Sequence, residues 1–181
     1  MSRLTAVDPA TATGKAKDLL TAVQGKMGMV PNMTRVMANS PAVLESYLSF
    51  SGALGGGLLD AQTRERLALL TAQENQCDYC LSAHTAIGKM VGLNPQQISA
   101  SRDGKADSPR TTATLTFSRR VLETRGSIDS SDLAAVREAG LTDGEIAEII
   151  AHVALNVFTN YFNKAADVDI DFPKVSFAAS H

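Results

Sequence analysis

Cys77 and Cys80 stand three positions apart and are the only cysteines in the chain. His84 follows the second at helical spacing, and Glu65 precedes the first by twelve residues. Paired thiols, an imidazole and a carboxylate are the inventory of a dithiol redox site with its own acid–base group. On a helix, Cys77, Cys80, His84 and Gly88 fall within about 80° of one another, a single narrow face. Cys80 and His84 form an i, i+4 pair and can touch. The imidazole can then take the Cys80 proton or hold its thiolate, the nucleophilic form. A second influence competes. If Asn75 caps the helix, Cys77 lies in the first turn, where the helix dipole lowers a thiol pKa. The dipole favours Cys77 as nucleophile and the imidazole favours Cys80.

Such a dithiol suits peroxide reduction. A thiolate attacks the O–O bond and becomes a sulfenic acid, which condenses with the neighbouring cysteine to a disulfide. An external dithiol restores the pair by exchange, and the acid–base group protonates the departing oxygen. Glu65 joins the site on one tertiary assumption, an antiparallel helical hairpin turning near Gln76. The carboxylate then lies opposite about Ile87, within reach of His84, which it would orient and keep charged.

The elements that must position these groups read as helices throughout. Helix starts are marked at Asp8-Pro9, Pro31, Ser40-Pro41, Asp60, Asn75, Asn94-Pro95, Ser108-Pro109 and Ser131. A full capping box, Thr142-Asp143-Gly144-Glu145, opens the last and longest helix. Gly55-Gly56-Gly57, Gly92, Gly104, Gly126 and Gly140 mark breaks. No period-two alternation stands out, so no sheet is expected, and the tail from Val168 is expected to drape over the body. The fold class is an all-α helical bundle in one domain spanning 1–181.

With 181 residues, 44% hydrophobic and 20% charged, the composition is that of a globular protein with a sizeable core. A net charge of −2 gives no pull toward nucleic acid or anionic membrane. The N-terminal residues carry no apolar signal core, and no stretch approaches the roughly 20 apolar residues of a membrane span. The expectation is a cytoplasmic protein, where a lone cysteine pair stays reduced and serves catalysis or metal binding. Zinc could take Cys77, Cys80 and His84, but a structural site needs a fourth ligand, Glu65 or His152. The alternative function is thus a non-catalytic redox-sensing or zinc-binding protein, and a third is a disulfide reductase or isomerase partner.

Other groups have plainer readings. Arg64/Arg66 and Arg119-Arg120 read as solvated helix faces, Glu74 as surface, and His181 as terminal. Met27, Met29, Met33 and Met37 read as filling core or interface gaps. His152, Asn156, Asn160 and Asn163 form an uncharged polar stripe, unusual for a solvated face. It suits another subunit, a wet cavity or helix-to-helix hydrogen bonds.

The spacing Glu65-x11-Cys77-x2-Cys80-x3-His84 resembles the alkyl hydroperoxidase D family, within the carboxymuconolactone decarboxylase-like superfamily. The stretch from Glu145 through His152 to Asn156, with Phe172-Pro173, is similar to its peroxidase-related members. The likeness runs from about Asp8 to Pro173. It implies an all-helical fold, homo-oligomers (trimer or hexamer), and turnover without metal, haem or flavin, hence no cofactor. It also implies Cys80 as the peroxidatic and Cys77 as the resolving cysteine, with Glu65 and His84 relaying protons. The reductant would be a dithiol, a lipoyl-bearing protein or thioredoxin. One departure is Tyr79, which stands where the family carries a second histidine; tyrosine is a poor base near neutral pH. The superfamily's decarboxylases do not depend on a cysteine pair, so the dithiol argues against that activity.

Overall fold

The computed structural model describes residues 2–177, so His181 lies outside it. Among the described residues there are nine helices and no strand: α1 (Gly14–Met27), α2 (Asn32–Met37), α3 (Pro41–Gly55), α4 (Ala61–Glu74), α5 (Asp78–Met90), α6 (Pro95–Arg102), α7 (Pro109–Glu123), α8 (Ser130–Glu138) and α9 (Asp143–Ala166). Most starts are set by side chains that satisfy orphan backbone donors. The Asp60 carboxylate accepts the Thr63 N–H at 2.7 Å. Asn94 with Gln97, Asp129 with Asp132, and Thr142 with Glu145 close reciprocal capping boxes. Asp8-Pro9 departs from the expectation. The Asp8 side chain accepts the Ala10 N–H at 2.9 Å and its carbonyl accepts the Thr11 N–H at 3.1 Å. That local turn outcompetes the helix, and α1 begins only at Gly14.

Helix α4 is the axis of the molecule, packed on α5, α6, α7 and α9. Every residue from Arg66 to Ala72 is buried. Leu69 and Ala72 face a core cluster that includes Cys77, Cys80 and Leu81, whereas Leu67 and Leu70 face a second cluster built on α7, α8 and α9. A helix enclosed on all sides keeps no solvated stripe, which overturns the surface reading of Arg66. Its guanidinium is buried and donates to Ser101 Oγ at 3.2 Å and Asp107 at 3.3 Å. Arg119 and Arg120 do lie at the surface, paired with Glu74 and Asp132.

The segment after α9 covers α5, as expected from Val168 onward. Phe172 meets Tyr79 edge to face at 5.9 Å. The Val175 N–H donates to Ser82 Oγ at 2.9 Å, and the Phe177 N–H to the Asp78 carboxylate at 2.9 Å. No helix among the described residues is long and apolar enough to cross a membrane. Because Leu69 is fully buried at the α4 axis, Leu69→Ala should cost about 2–5 kcal/mol of stability. Urea unfolding measures it, and a cost well under 1 kcal/mol would contradict this placement of α4.

Candidate active site

The turn between α4 and α5 fixes the cysteines. Helix α4 ends in a Schellman motif: the Gln76 N–H donates to the Gln73 carbonyl at 3.1 Å and the Cys77 N–H to the Ala72 carbonyl at 2.9 Å. Gln76 takes the left-handed conformation that closes such a motif, with φ of 53°, at a cost of about 1–2 kcal/mol for a non-glycine residue. The expected start of α5 at Asn75 is therefore corrected: Asn75 is the last residue of α4's cap, and α5 starts at Asp78. Cys77 is itself the N-cap. Its Sγ accepts the Cys80 N–H at 3.3 Å, the place a serine or aspartate oxygen usually takes.

The same turn makes α4 and α5 antiparallel, and Glu65 meets His84. The His84 Nδ1 lies 2.8 Å from Glu65 Oε2, both side chains partly buried. Burial works against a charged ring, but the Glu65 charge and hydrogen bond, with the charge of Cys77, outweigh it and raise the His84 pKa. The imidazole is thus biased toward its cationic form beside the dithiol.

The two sulfurs differ. A hydrogen bond from the Cys80 thiol is the largest influence on Cys77; with the Cys80 N–H and the charges of His84 and Lys164 it lowers the Cys77 pKa against burial. Burial first, then the hydrogen bond to Cys77 and its charge, push the Cys80 thiol well up. In the reduced pair the negative charge belongs on Cys77. Cys80 instead lines a cavity of about 280 Å³ that it shares with His84 and Glu65. Asn163 Nδ2 reaches Cys80 Sγ at 3.2 Å.

Asn163 is the member of this site that sequence reasoning missed. Its signal was the uncharged stripe on α9, all four of whose members are buried. His152, Asn156 and Asn163 face the cavity, and Asn160 accepts a hydrogen bond from Asn75 Nδ2 at 2.9 Å. Tyr79 also lines the cavity, but its hydroxyl accepts the Met33 N–H at 3.1 Å and burial holds it protonated. It braces α2 rather than serving as a base. Tyr47, lifted to about 12 by burial and by the Cys80 charge, stays protonated too. Met33 and Met37 are buried, whereas Met27 and Met29 are largely exposed.

Among the described residues no three His, Cys, Asp or Glu side chains converge in a metal-binding arrangement. The ion pair yields a pH test. A raised His84 pKa contributes stability in full below the ordinary histidine value of about 6.5 and loses it as pH rises through the folded value. The stability gap between the parent protein and Glu65→Gln, from urea unfolding, should therefore narrow as pH rises above about 6.5. A gap independent of pH would show that the ring does not titrate against Glu65.

Residues 41–124, from α3 to α7, match the Carboxymuconolactone decarboxylase family. The fold is similar over its length to an uncharacterized peroxidase-related protein of Ralstonia eutropha JMP134, described as an alkylhydroperoxidase AhpD core. That match has a TM-score of 0.85 and 28% identity, and covers 94% of this chain and 92% of that one. A peroxidase-related protein of Silicibacter sp. TM1040 matches with TM-score 0.78 and 25% identity over 91% of each chain. The debrominase Bmp8 shares the fold, with TM-score 0.78 and 17% identity over 93% of this chain and 91% of that one. An uncharacterized protein of Haemophilus influenzae is 42% identical over 45 residues, 24% of this chain and 40% of that relative, so the likeness spans under half of the relative's length. The family match over residues 41–124, the helical architecture and the peroxidase-related neighbours together support an alkyl hydroperoxidase D-like member of the carboxymuconolactone decarboxylase-like superfamily.

Proposed function

We propose that the protein is a thiol-dependent peroxidase that reduces alkyl hydroperoxides or hydrogen peroxide through a Cys77/Cys80 dithiol–disulfide cycle. The observation that carries this reading is a division of labour at the sulfurs. Cys77 is the acidic one, and Cys80 is the one on the cavity wall. The Cys77 thiolate takes the proton of Cys80, and the Cys80 thiolate, held by the Asn163 N–H, attacks the peroxide. The O–O bond breaks, Cys80 becomes a sulfenic acid, and the His84 cation protonates the departing alkoxide. Neutral His84 then takes the Cys77 proton, and the Cys77 sulfur attacks Cys80. Hydroxide leaves with that proton as water, and the disulfide forms. Two thiols and one hydroperoxide thus give one disulfide, one alcohol and one water. Glu65 keeps His84 oriented and charged.

A dithiol partner, lipoyl-bearing or thioredoxin-like, returns two electrons and two protons by thiol–disulfide exchange. We also propose that copies of the chain associate as a trimer or hexamer, an arrangement for which α9 offers the exposed residues Ile150, Phe158 and Tyr161.

Replacing Cys80 with Ser should abolish peroxide consumption by the reduced protein in stopped-flow assays. Cys77→Ser, which lacks the base, should react more slowly, once, and leave a sulfenic acid on Cys80 that dimedone traps. Consumption by Cys80→Ser at the parent rate would contradict the assignment. Oxidation by peroxide with no re-reduction by dihydrolipoamide or thioredoxin would favour a redox sensor over an enzyme.

A further inference from the structure

The cavity is larger than a peroxide group requires. At about 280 Å³ it is several times the roughly 30 Å³ that one water molecule occupies in the liquid. Hydrogen peroxide would leave most of that space to solvent, so the site has room for an organic body. Met33, Ile87 and Leu155 supply apolar wall for one.

The opposite character is concentrated at Arg64 and His152. His152 is 5% exposed, yet its Nε2 has no hydrogen-bond partner among the described residues. A buried polar atom in that condition is unfavourable unless a ligand completes it. The ring is neutral: burial first, then the Arg64 charge, hold its pKa down against Glu148 and Glu65. Its N–H can therefore donate to an acceptor without a second charge being buried. Arg64 lies one residue before Glu65 and lines the same cavity. Its guanidinium donates to the Leu59 carbonyl and makes no ion pair among the described residues. Glu65, the one carboxylate on the cavity wall among the described residues, is engaged by His84. Glu148, close enough to act on His152, accepts the Leu58 and Leu59 N–H groups at 2.7 and 3.0 Å. Lys26 adds a further cation at the exposed mouth. The wall thus carries positive charge in excess, with a donor beside it.

We propose that Arg64 and His152 form an anion subsite that holds the carboxylate of an organic hydroperoxide acid while its peroxide group lies at Cys80. The reactive end of this assignment rests on the peroxidase reading; the subsite does not. Arg64 would supply charge-assisted hydrogen bonds, and His152 would position the bound acid rather than take part in the chemistry.

Calorimetry of the reduced protein with octanoate and with octanol separates the two readings, because neither probe carries a peroxide. Octanoate should bind at least about tenfold more tightly than octanol, the effect of one charged hydrogen bond. Arg64→Met and His152→Phe, each checked for folding by circular dichroism, should each weaken octanoate by about tenfold, and Arg64→Lys should recover part of the loss. Octanoate binding no tighter than octanol, or unaffected by both substitutions, would overturn the subsite. Octanoate binding as described in a protein that consumes no hydroperoxide would leave the subsite standing and remove the peroxidase reading instead.

Discussion

The Cys77 N–H closes the C-terminus of α4 while the Cys77 sulfur closes the N-terminus of α5, and the site depends on that double attachment. Remove either bond and the dithiol no longer has a fixed relation to the carboxylate one helix away. The left-handed Gln76 that makes the turn possible is strained, and the surrounding helices hold it. Once the turn is set, the antiparallel course of α4 and α5 brings Glu65 and His84 to 2.8 Å without any further device.

Both sulfurs are almost completely buried, and burial penalises a thiolate. The structure meets that penalty at one sulfur by surrounding it with donors: a neighbouring thiol, a backbone N–H, and His84, which Glu65 biases toward its cation. Helix α9 contributes the other half. An ordinary solvated face would offer Lys and Glu, but α9 turns Asn156, Asn160 and Asn163 inward. Neutral amides give a sulfur a hydrogen bond without adding a charge that would itself need compensation.

Much of this was legible in the residues. Caps at Asp60, Asn94, Ser108 and Thr142 stood where the helices start, because a side-chain oxygen before an apolar run has one clear use. The Glu65–His84 contact followed from counting residues through a hairpin. The hairpin turn near Gln76 was expected from the sequence, but its left-handed cap was not, because Gln76 is neither the glycine nor the asparagine that usually takes that conformation. Arg66 was misread because charge pattern reports only one helix at a time, whereas its burial comes from α6 and the loop carrying Asp107 packing over α4. The role of Asn163 needed the distance to Cys80 across 83 positions of sequence, which no periodicity contains.

The unequal sulfurs are the centre of the account. The direct measurement is an ultraviolet titration of thiolate absorbance in the reduced protein. One thiolate should form below the ordinary cysteine value of about 8.5, and Cys77→Ser should remove this low-pH step. A reduced protein whose two thiols both ionise only above that value, or a step that survives Cys77→Ser unchanged, would contradict it.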